Sequence, residues 1–502
     1  MSNGIILAGG KASRLGPLST QISKALVSIG QRPHVFHQIE LLRAANCVRI
    51  IVVANPATHI QVQTALERAG HYDIKVVPQN VSRGPVDAIL VGLHALGPER
   101  HKHDTYVLMS DTFIEEKLDR HSGTWIGEAL TPVGSRSFCV REDDGTYVDK
   151  QVRVADSVTI GAYHFVDTIE LLSEASTVMT RANLNDEHEV GMGPLLSCFP
   201  TARTIAFPTW LDIGDVHALA IARRTRFIAR SEHTLSLDNA GILTKKGVGK
   251  QFFAQRSWLL EQSTKPAKSA NLVPRIYNVL DDGYEMEYVD LPTLSELWLY
   301  WPGRPETWAQ ILQSVVDRLE LDLWWPDKQR AMVADHTSVA TWFAGKTLER
   351  LTKLEHGLAA RHFDLLERAS EVLTSSSIVR AHGDLNFNNI LYSINTGTFK
   401  LIDPRGNATM PLIYELAKLR YSYHAGFSAI THGLFNHSTG VLLPDRTKEI
   451  AAMDAFLAGY ISLDQLQVAE GCLLLAGAPL HSPREREVMI SRGVQLIKEI
   501  VG

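Results

Sequence analysis

The first 115 residues alternate short apolar runs with stretches in which apolar positions recur every three or four residues. The runs at 5–7, 48–54, 74–77 and 106–109 read as buried strands, and 35–45 and 60–69 carry the helical repeat between them. Strands separated by helices predict a mostly parallel sheet covered on both faces. Strand-like segments continue at 138–140 and 157–165 and close on Trp210-Leu211-Asp212-Ile213-Gly214-Asp215. Residues 216–230, with Arg223, Arg224, Arg226 and Arg230, read as a connecting helix with a solvated basic face. From about 233 the pattern changes. Strands are expected at 242–245, 276–280 and 284–288 in a small lobe, followed from 292 by mostly helical chain with a loop-rich interruption near 378–405.

Composition narrows this picture. A chain of 502 residues suggests about two to four domains. Its 45% hydrophobic and 21% charged content suits large buried cores, and a net charge of -5 gives no reason to expect nucleic acid or an anionic membrane as partner. Cys47, Cys139, Cys198 and Cys472 are far apart with no CxxC pair, which argues against disulfides and zinc and suits a reducing compartment. A strand beginning almost at Met1, with no charged segment leading into an apolar one and no apolar run of about 18 residues, leads us to expect a cytoplasmic chain without membrane insertion. His101 and His103 lack a third nearby ligand, and Trp301, Trp324 and Trp325 sit at apolar helical positions that read as core.

Two constellations carry chemistry. In the first, Leu7-Ala8-Gly9-Gly10-Lys11-Ala12-Ser13-Arg14 follows a strand directly. Its glycines let backbone N–H groups approach a triphosphate, and Arg14 can hold the outer phosphates and the departing pyrophosphate. Lys24 can neutralise a phosphate. Gln79 and the turn at Gly84-Pro85-Val86-Asp87-Ala88 can receive a base. Asp111, at the C-terminal end of a strand, and Asp212 are suited to Mg²⁺. In the second, His382-Gly383-Asp384-Leu385-Asn386-Phe387-Asn388-Asn389 precedes Leu401-Ile402-Asp403-Pro404-Arg405-Gly406. Asp384 can accept an alcohol proton, Asn389 can offer a neutral oxygen to a metal, and Asp403 can bridge Mg²⁺ to nucleotide phosphates.

The first set, with Asp149-Lys150 and Ile160-Gly161-Ala162-Tyr163, resembles the sugar-phosphate nucleotidyltransferase family across residues 4–225. The resemblance implies that Lys150 binds the acceptor's phosphate while Asp111 and Asp212 hold Mg²⁺. Ala12 stands where a third glycine is usual, and Ser23 and Ala25 replace prolines that often flank the lysine. The second set resembles the aminoglycoside phosphotransferase and choline kinase group across roughly 235–495, closest to members found in bacterial capsule and surface-glycan pathways; Tyr414-Glu415-Leu416-Ala417-Lys418-Leu419 fits that subgroup. It implies Lys245 on the ATP phosphates, Glu287 and Tyr288 as the adenine hinge, and Gln255 where a glutamate partner of the lysine is usual.

The expected fold class is therefore α/β. A Rossmann-like nucleotidyltransferase domain (1–230) precedes a two-lobed, protein-kinase-like α+β domain (231–502) with its small lobe at 231–291 and its helical lobe at 292–502. The expected function is bifunctional. ATP phosphorylates a small alcohol, polyol or sugar, and a second nucleotide activates the product with release of pyrophosphate. Mg²⁺ is expected at both sites, and CTP is favoured because small-alcohol phosphates such as phosphocholine are usually activated as CDP derivatives. Two alternatives stay open: a non-catalytic regulatory C-terminal module, or a sugar kinase joined to a sugar-1-phosphate pyrophosphorylase using UTP, GTP or dTTP. The acceptor's identity and assembly into a homo-oligomer are not read from these residues.

Overall fold

The computed structural model describes the chain apart from residues 11–13, 16–21, 30–31, 131–136, 153–156, 186–187, 216–217, 220, 224–232, 239, 265–271, 326–331, 408 and 436–445. The chain divides into two compact units, Met1–Phe227 and Ile228–Gly502. Much of the Arg-rich connector, including Arg224, Arg226 and Arg230, lies outside the described residues, as do Lys11, Ala12 and Ser13.

The first unit is built on a seven-stranded sheet. Its strands are β1 (Ser2–Ala8), β2 (Cys47–Ala54), β3 (Lys75–Pro78), β4 (Asp104–Met109), β5 (Trp125–Leu130), β6 (Ser157–Phe165) and β7 (Arg203–Ala206), in the spatial order β7-β5-β6-β4-β1-β2-β3. Only β6 runs against the others. Helices α1 (His34–Ala44), α2 (His59–Arg68) and α3 (Pro85–Ala95) make the crossovers between the first four strands. Glycines set the distance at which helices cover the sheet. A Cβ on Gly4 would stand 2.9 Å from Leu42 of α1, and one on Gly92 of α3 would stand 2.7 Å from Ile5. Gly4 and Ile5 face opposite sides of β1, so α1 and α3 cover opposite faces. The 17-residue helix α4 (Thr168–Leu184) was not anticipated from the sequence. Asp167 caps it by accepting the N–H groups of Ile169 and Glu170 at 2.8 and 3.0 Å.

The chain winds outward from β1 through β2 to β3, then returns through α3 to β4 on the other side of β1. That reversal opens a crevice at the carboxyl ends of β1 and β4, where open α/β sheets bind ligands.

The second unit begins with a four-stranded antiparallel sheet: β8 (His233–Leu237), β9 (Ile242–Gly247), β10 (Ile276–Leu280) and β11 (Gly283–Glu287), in the order β8-β9-β11-β10. Helix α5 (Lys250–Ser263) connects β9 to β10. A mostly helical body follows, including α6 (Leu294–Tyr300), α7 (Pro305–Leu319), α8 (Lys346–Leu354), α9 (Leu412–Tyr423), α10 (Leu463–Gly477) and α11 (Pro483–Val501). Two short antiparallel strands, β12 (Ile390–Tyr392) and β13 (Phe399–Leu401), interrupt it. Trp324 is buried in this body. Buried Arg420 of α9 donates to Asp454 at 2.7 and 2.8 Å and to Glu470 of α10 at 2.8 Å, so charge pairing holds α9 in place. No helix among the described residues is long and apolar enough to cross a membrane.

Candidate functional site

Strand register assembles the first site. Ala8 of β1 lies beside Ala54 of β2, and Ala54 beside Pro78 of β3, so Gly9, Asn55 and Gln79 leave the sheet in one row. The Asn55 amide donates to the Gly9 carbonyl at 3.3 Å. Buried Gln79 donates to the Gly84 carbonyl at 3.0 Å and to Asp87 at 2.8 Å, and its amide oxygen fills the space a Gly9 Cβ would need. Gly84 has φ +95°, and a Cβ there would collide with the Val190 backbone. Gly10 is exposed, with nothing within 4 Å of where its Cβ would stand. The turn is thus tight on its sheet side and open outward, as a backbone cradle for phosphate requires.

On the other side of the crevice, Leu7 lies beside Met109, and the Ser110 N–H donates to Leu7 O at 3.0 Å. This brings Asp111 next to the Gly9-Gly10 turn. The Lys24 ammonium lies 2.8 Å from the Asp111 carboxylate. Burial pushes the Asp111 carboxyl up, but Lys24, helped by Arg14, outweighs burial and holds it below the usual carboxylate range. Asp212 pairs with Thr112 across a two-residue antiparallel ladder. A Cβ on Gly214 would meet Asp212 Oδ1 at 2.8 Å, Asp111 Oδ2 at 3.6 Å and an Arg14 guanidinium nitrogen at 3.7 Å. The Gly214 N–H donates to Asp212 Oδ1 at 2.6 Å, so two carboxylates and a guanidinium gather around the Gly214 backbone. Hard oxygen donors of this kind would suit Mg²⁺.

Lys150 stands apart from this group. It has φ +59° at an irregularity of the Tyr147–Val152 strand, is largely exposed, and lies 3.3 Å from Glu189. Its neighbour Asp149 is tied inward, accepting the Gly193 N–H at 2.9 Å.

One contributor was not singled out from the sequence. Gln38 of α1, fully buried, donates to the carbonyls of Met109 and Thr112 at 2.7 and 3.2 Å, and His37 lies 2.6 Å from Ile114 O. These contacts brace the turn that carries Asp111.

The second unit gathers another polar group. Buried Lys245 of β9 reaches Asp403 at 2.5 Å. Asp403 itself has φ +51°, a conformation that only a well-supported turn imposes on a non-glycine residue. The Asn389 amide N–H donates to the Asp384 carbonyl at 2.8 Å and to its carboxylate at 3.1 Å, which leaves the amide oxygen for a cation. Ile402 N donates to Asn389 O at 3.0 Å, placing the Asp403 turn beside the Asn389 loop. His382 is neutral: burial drives it down to about 4. Its Nδ1 accepts the Asp384 N–H at 3.3 Å, so Nε2–H donates to Ile402 O at 2.9 Å. Glu415 of α9 accepts the N–H groups of His382 and Gly383, both at 2.9 Å, and Trp258 of α5 donates to Ala381 O at 2.9 Å. The Asp384 loop is held from three sides. Lys418 lies 3.0 Å from the Asp384 carboxylate, and although burial opposes it, Lys418 holds that carboxyl below its usual range.

The backbone N–H of Glu287 donates to Arg275 O at 2.8 Å and that of Tyr288 to Gly241 O at 3.2 Å, so sheet and turn pairing already occupy the N–H groups expected to meet adenine. Gln255 of α5 is buried, and Lys245 has Asp403 as its ionic partner. Among the described residues no three or more His, Cys, Asp or Glu side chains cluster in a way that could hold a metal ion.

The nucleotidyl transferase family model matches residues 3–123, which lie within the first unit. Among solved structures, a CTP:phosphocholine cytidylyltransferase from Streptococcus pneumoniae aligns at TM-score 0.36 and 18% identity, covering 45% of this chain and 98% of that one. Among curated relatives, a mannose-1-phosphate guanyltransferase of Candida albicans is 37% identical over 190 residues, covering 34% of this chain and 52% of its own length. A glucose-1-phosphate thymidylyltransferase of Streptomyces griseus is 28% identical over 228 residues, covering 42% of this chain and 62% of its own length. The chain thus spans about half the length of the curated relatives it matches.

Proposed function

We propose that this chain is a bifunctional enzyme whose first unit transfers a nucleotidyl group to a small-molecule phosphate and whose second unit makes that phosphate from ATP. The gathering of Asp111, Asp212 and Arg14 around Gly214, beside an open Gly-Gly turn at the sheet's switch point, supports the first half. In the reaction, an acceptor phosphate oxygen bonds to the α-phosphorus while the bond to the α–β bridging oxygen breaks and pyrophosphate departs. Arg14 and Lys24 neutralise the departing charge, and the Gly9-Gly10 backbone receives the phosphates. Lys150 is proposed to meet the acceptor phosphate, exchanging its exposed partner Glu189 for it. Asp111 and Asp212 are the residues that would hold Mg²⁺, which neutralises triphosphate charge.

For the second half, Asp384 accepts the proton of the attacking hydroxyl. The hydroxyl oxygen bonds to the γ-phosphorus, the bond to the β–γ bridging oxygen breaks, and ADP departs. Lys245 meets the ATP phosphates, while Asp403 and the free oxygen of Asn389 would hold Mg²⁺. The kinase reading rests on this arrangement and on the sequence resemblance. Glu287 and Tyr288 would then border adenine through groups other than their occupied N–H donors.

CTP remains the favoured second nucleotide for an alcohol phosphate. A second reading, a sugar 1-phosphate activated with GTP or dTTP, is favoured by the names of the relatives. The reaction class is the same in both, and a nucleotide panel separates them. Melting is measured with Mg²⁺ and ATP, CTP, GTP, UTP or dTTP, since a ligand of the folded state raises stability with concentration over Kd. The proposal expects ATP and one other nucleotide to stabilise, the first effect lost in Asp403→Ala and the second in Asp111→Ala. A single responding nucleotide, with Asp403→Ala silent, would leave the second unit a regulatory module.

A further inference from the structure

Beside Asp384 the second unit gathers more positive charge than its pairing explains. Lys346 and Arg350 are one turn apart on α8 and share a face, while Glu349 between them is taken by Lys353 at 2.5 Å. The Lys346 ammonium lies 5.1 Å from the centre of the Trp342 ring, whose own centre is 6.0 Å from that of Tyr414. The Tyr414 hydroxyl accepts Arg405 Nη1–H at 3.1 Å. One turn further along α9, Lys418 reaches Asp384 at 3.0 Å and stands 4.8 Å from the centre of the Tyr421 ring. Arg350, which donates to the Ala476 carbonyl at 2.8 Å, joins Lys346, Arg405 and Lys418 in one group of cations at the edge of the Asp384 loop. Among the described residues, no carboxylate comes within ion-pairing distance of Lys346, Arg350 or Arg405; Asp384 serves Lys418 alone.

Their mutual repulsion is tangible. Burial first, then Arg405, Arg350 and Lys418, press the Lys346 ammonium down to about 8, and burial with Arg405 lowers Arg350 as well. Like charges held together in half-buried positions cost stability unless an anion joins them. Nucleotide phosphates have a separate cation in Lys245, which is engaged with Asp403. The guanidinium planes of Arg350 and Arg405 match carboxylate and phosphate oxygens, whereas the same cluster repels an ammonium.

We infer that the alcohol phosphorylated at Asp384 is itself an anion, carrying a carboxylate or phosphate group that Lys346, Arg350 and Arg405 hold while its hydroxyl meets Asp384. This rests on the proposal that Asp384 is the base of phosphoryl transfer. It excludes choline-like and aminoglycoside-like cations as preferred acceptors.

Calorimetric titration of the full chain, saturated with Mg·ADP, with glycerol, choline, D-glycerate and sn-glycerol 3-phosphate tests it. At least one of the two anions should bind tenfold or more tightly than glycerol or choline, and which one tells carboxylate from phosphate. That preference should fall at least tenfold in Lys346→Gln and in Arg405→Gln, and return in Lys346→Arg. Tightest binding of choline or glycerol, anion affinity unchanged in both glutamine variants, or anion binding lost in Lys24→Gln instead would each overturn the inference. Phosphoryl transfer from labelled ATP to the same four alcohols reads the underlying proposal separately. Anion binding without transfer keeps the anion site and removes the kinase; transfer to choline or glycerol alone keeps the kinase and removes the anion site.

Discussion

Glu415 is completely buried, and its two carboxylate oxygens take the N–H groups of His382 and Gly383. Burial outweighs those donors and raises its carboxyl from 4.5 to about 7. An acid raised in the folded state binds protons that the unfolded chain releases. Its favourable contribution is therefore complete below about 4.5 and is lost as pH rises through about 7. The melting transition that Mg·ATP raises should fall in temperature across that window, and Glu415→Gln should flatten the slope. An unchanged slope would mean that the carboxyl is not under this burial penalty. At the same scale, spacing along the chain marked out Asp384, Asn389 and Asp403, and their backbone contacts bring these three loops together. It could not reveal the basic cluster, because Lys346 and Arg350 are unremarkable among 50 lysines and arginines until α8 and α9 both pack against α10, near the Arg405 turn.

At the scale of elements, β1, β2, β4 and β6 were legible because apolar runs of the right length betray burial on both faces, whereas β5 and β7 were not read from the sequence. Ser157–Phe165 and Ile276–Leu280 coincide with the segments read as strands. Helix α4 was missed because its apolar positions are diluted by Ser, Thr and Glu, and only Asp167 marks its start. Nor could sequence show that α1 supports the Asp111 turn, since Gln38 acts on carbonyls more than 70 residues away. Gln38→Leu, which keeps the volume and removes both donors, should destabilise the fold by about 1–3 kcal/mol, the usual cost of abandoning buried hydrogen-bonding groups. Pyrophosphate release should fall about tenfold, mostly in kcat, because the misplaced group is Asp111 rather than the nucleotide turn. Steady-state kinetics alongside a denaturant melt checks this; unchanged kcat with lowered stability would confine Gln38 to a structural role.

For the whole molecule, the residues proposed for each chemistry lie within a single compact unit. The Lys24–Asp111 pair and the Asp212–Arg14 convergence lie wholly within Met1–Phe227, and Lys245, Asp384, Asn389 and Asp403 lie wholly within Ile228–Gly502. Each chemistry should therefore survive loss of the other. The most direct test of the central claim is pyrophosphate release from each nucleoside triphosphate with Mg²⁺ and a panel of sugar 1-phosphates and alcohol phosphates. The account predicts release with one preferred nucleotide, reduced at least a hundredfold in Asp111→Asn and Asp212→Asn and retained in Asp384→Asn. Release that survives Asp111→Asn in full, or that disappears in a folded Asp384→Asn protein, would contradict it.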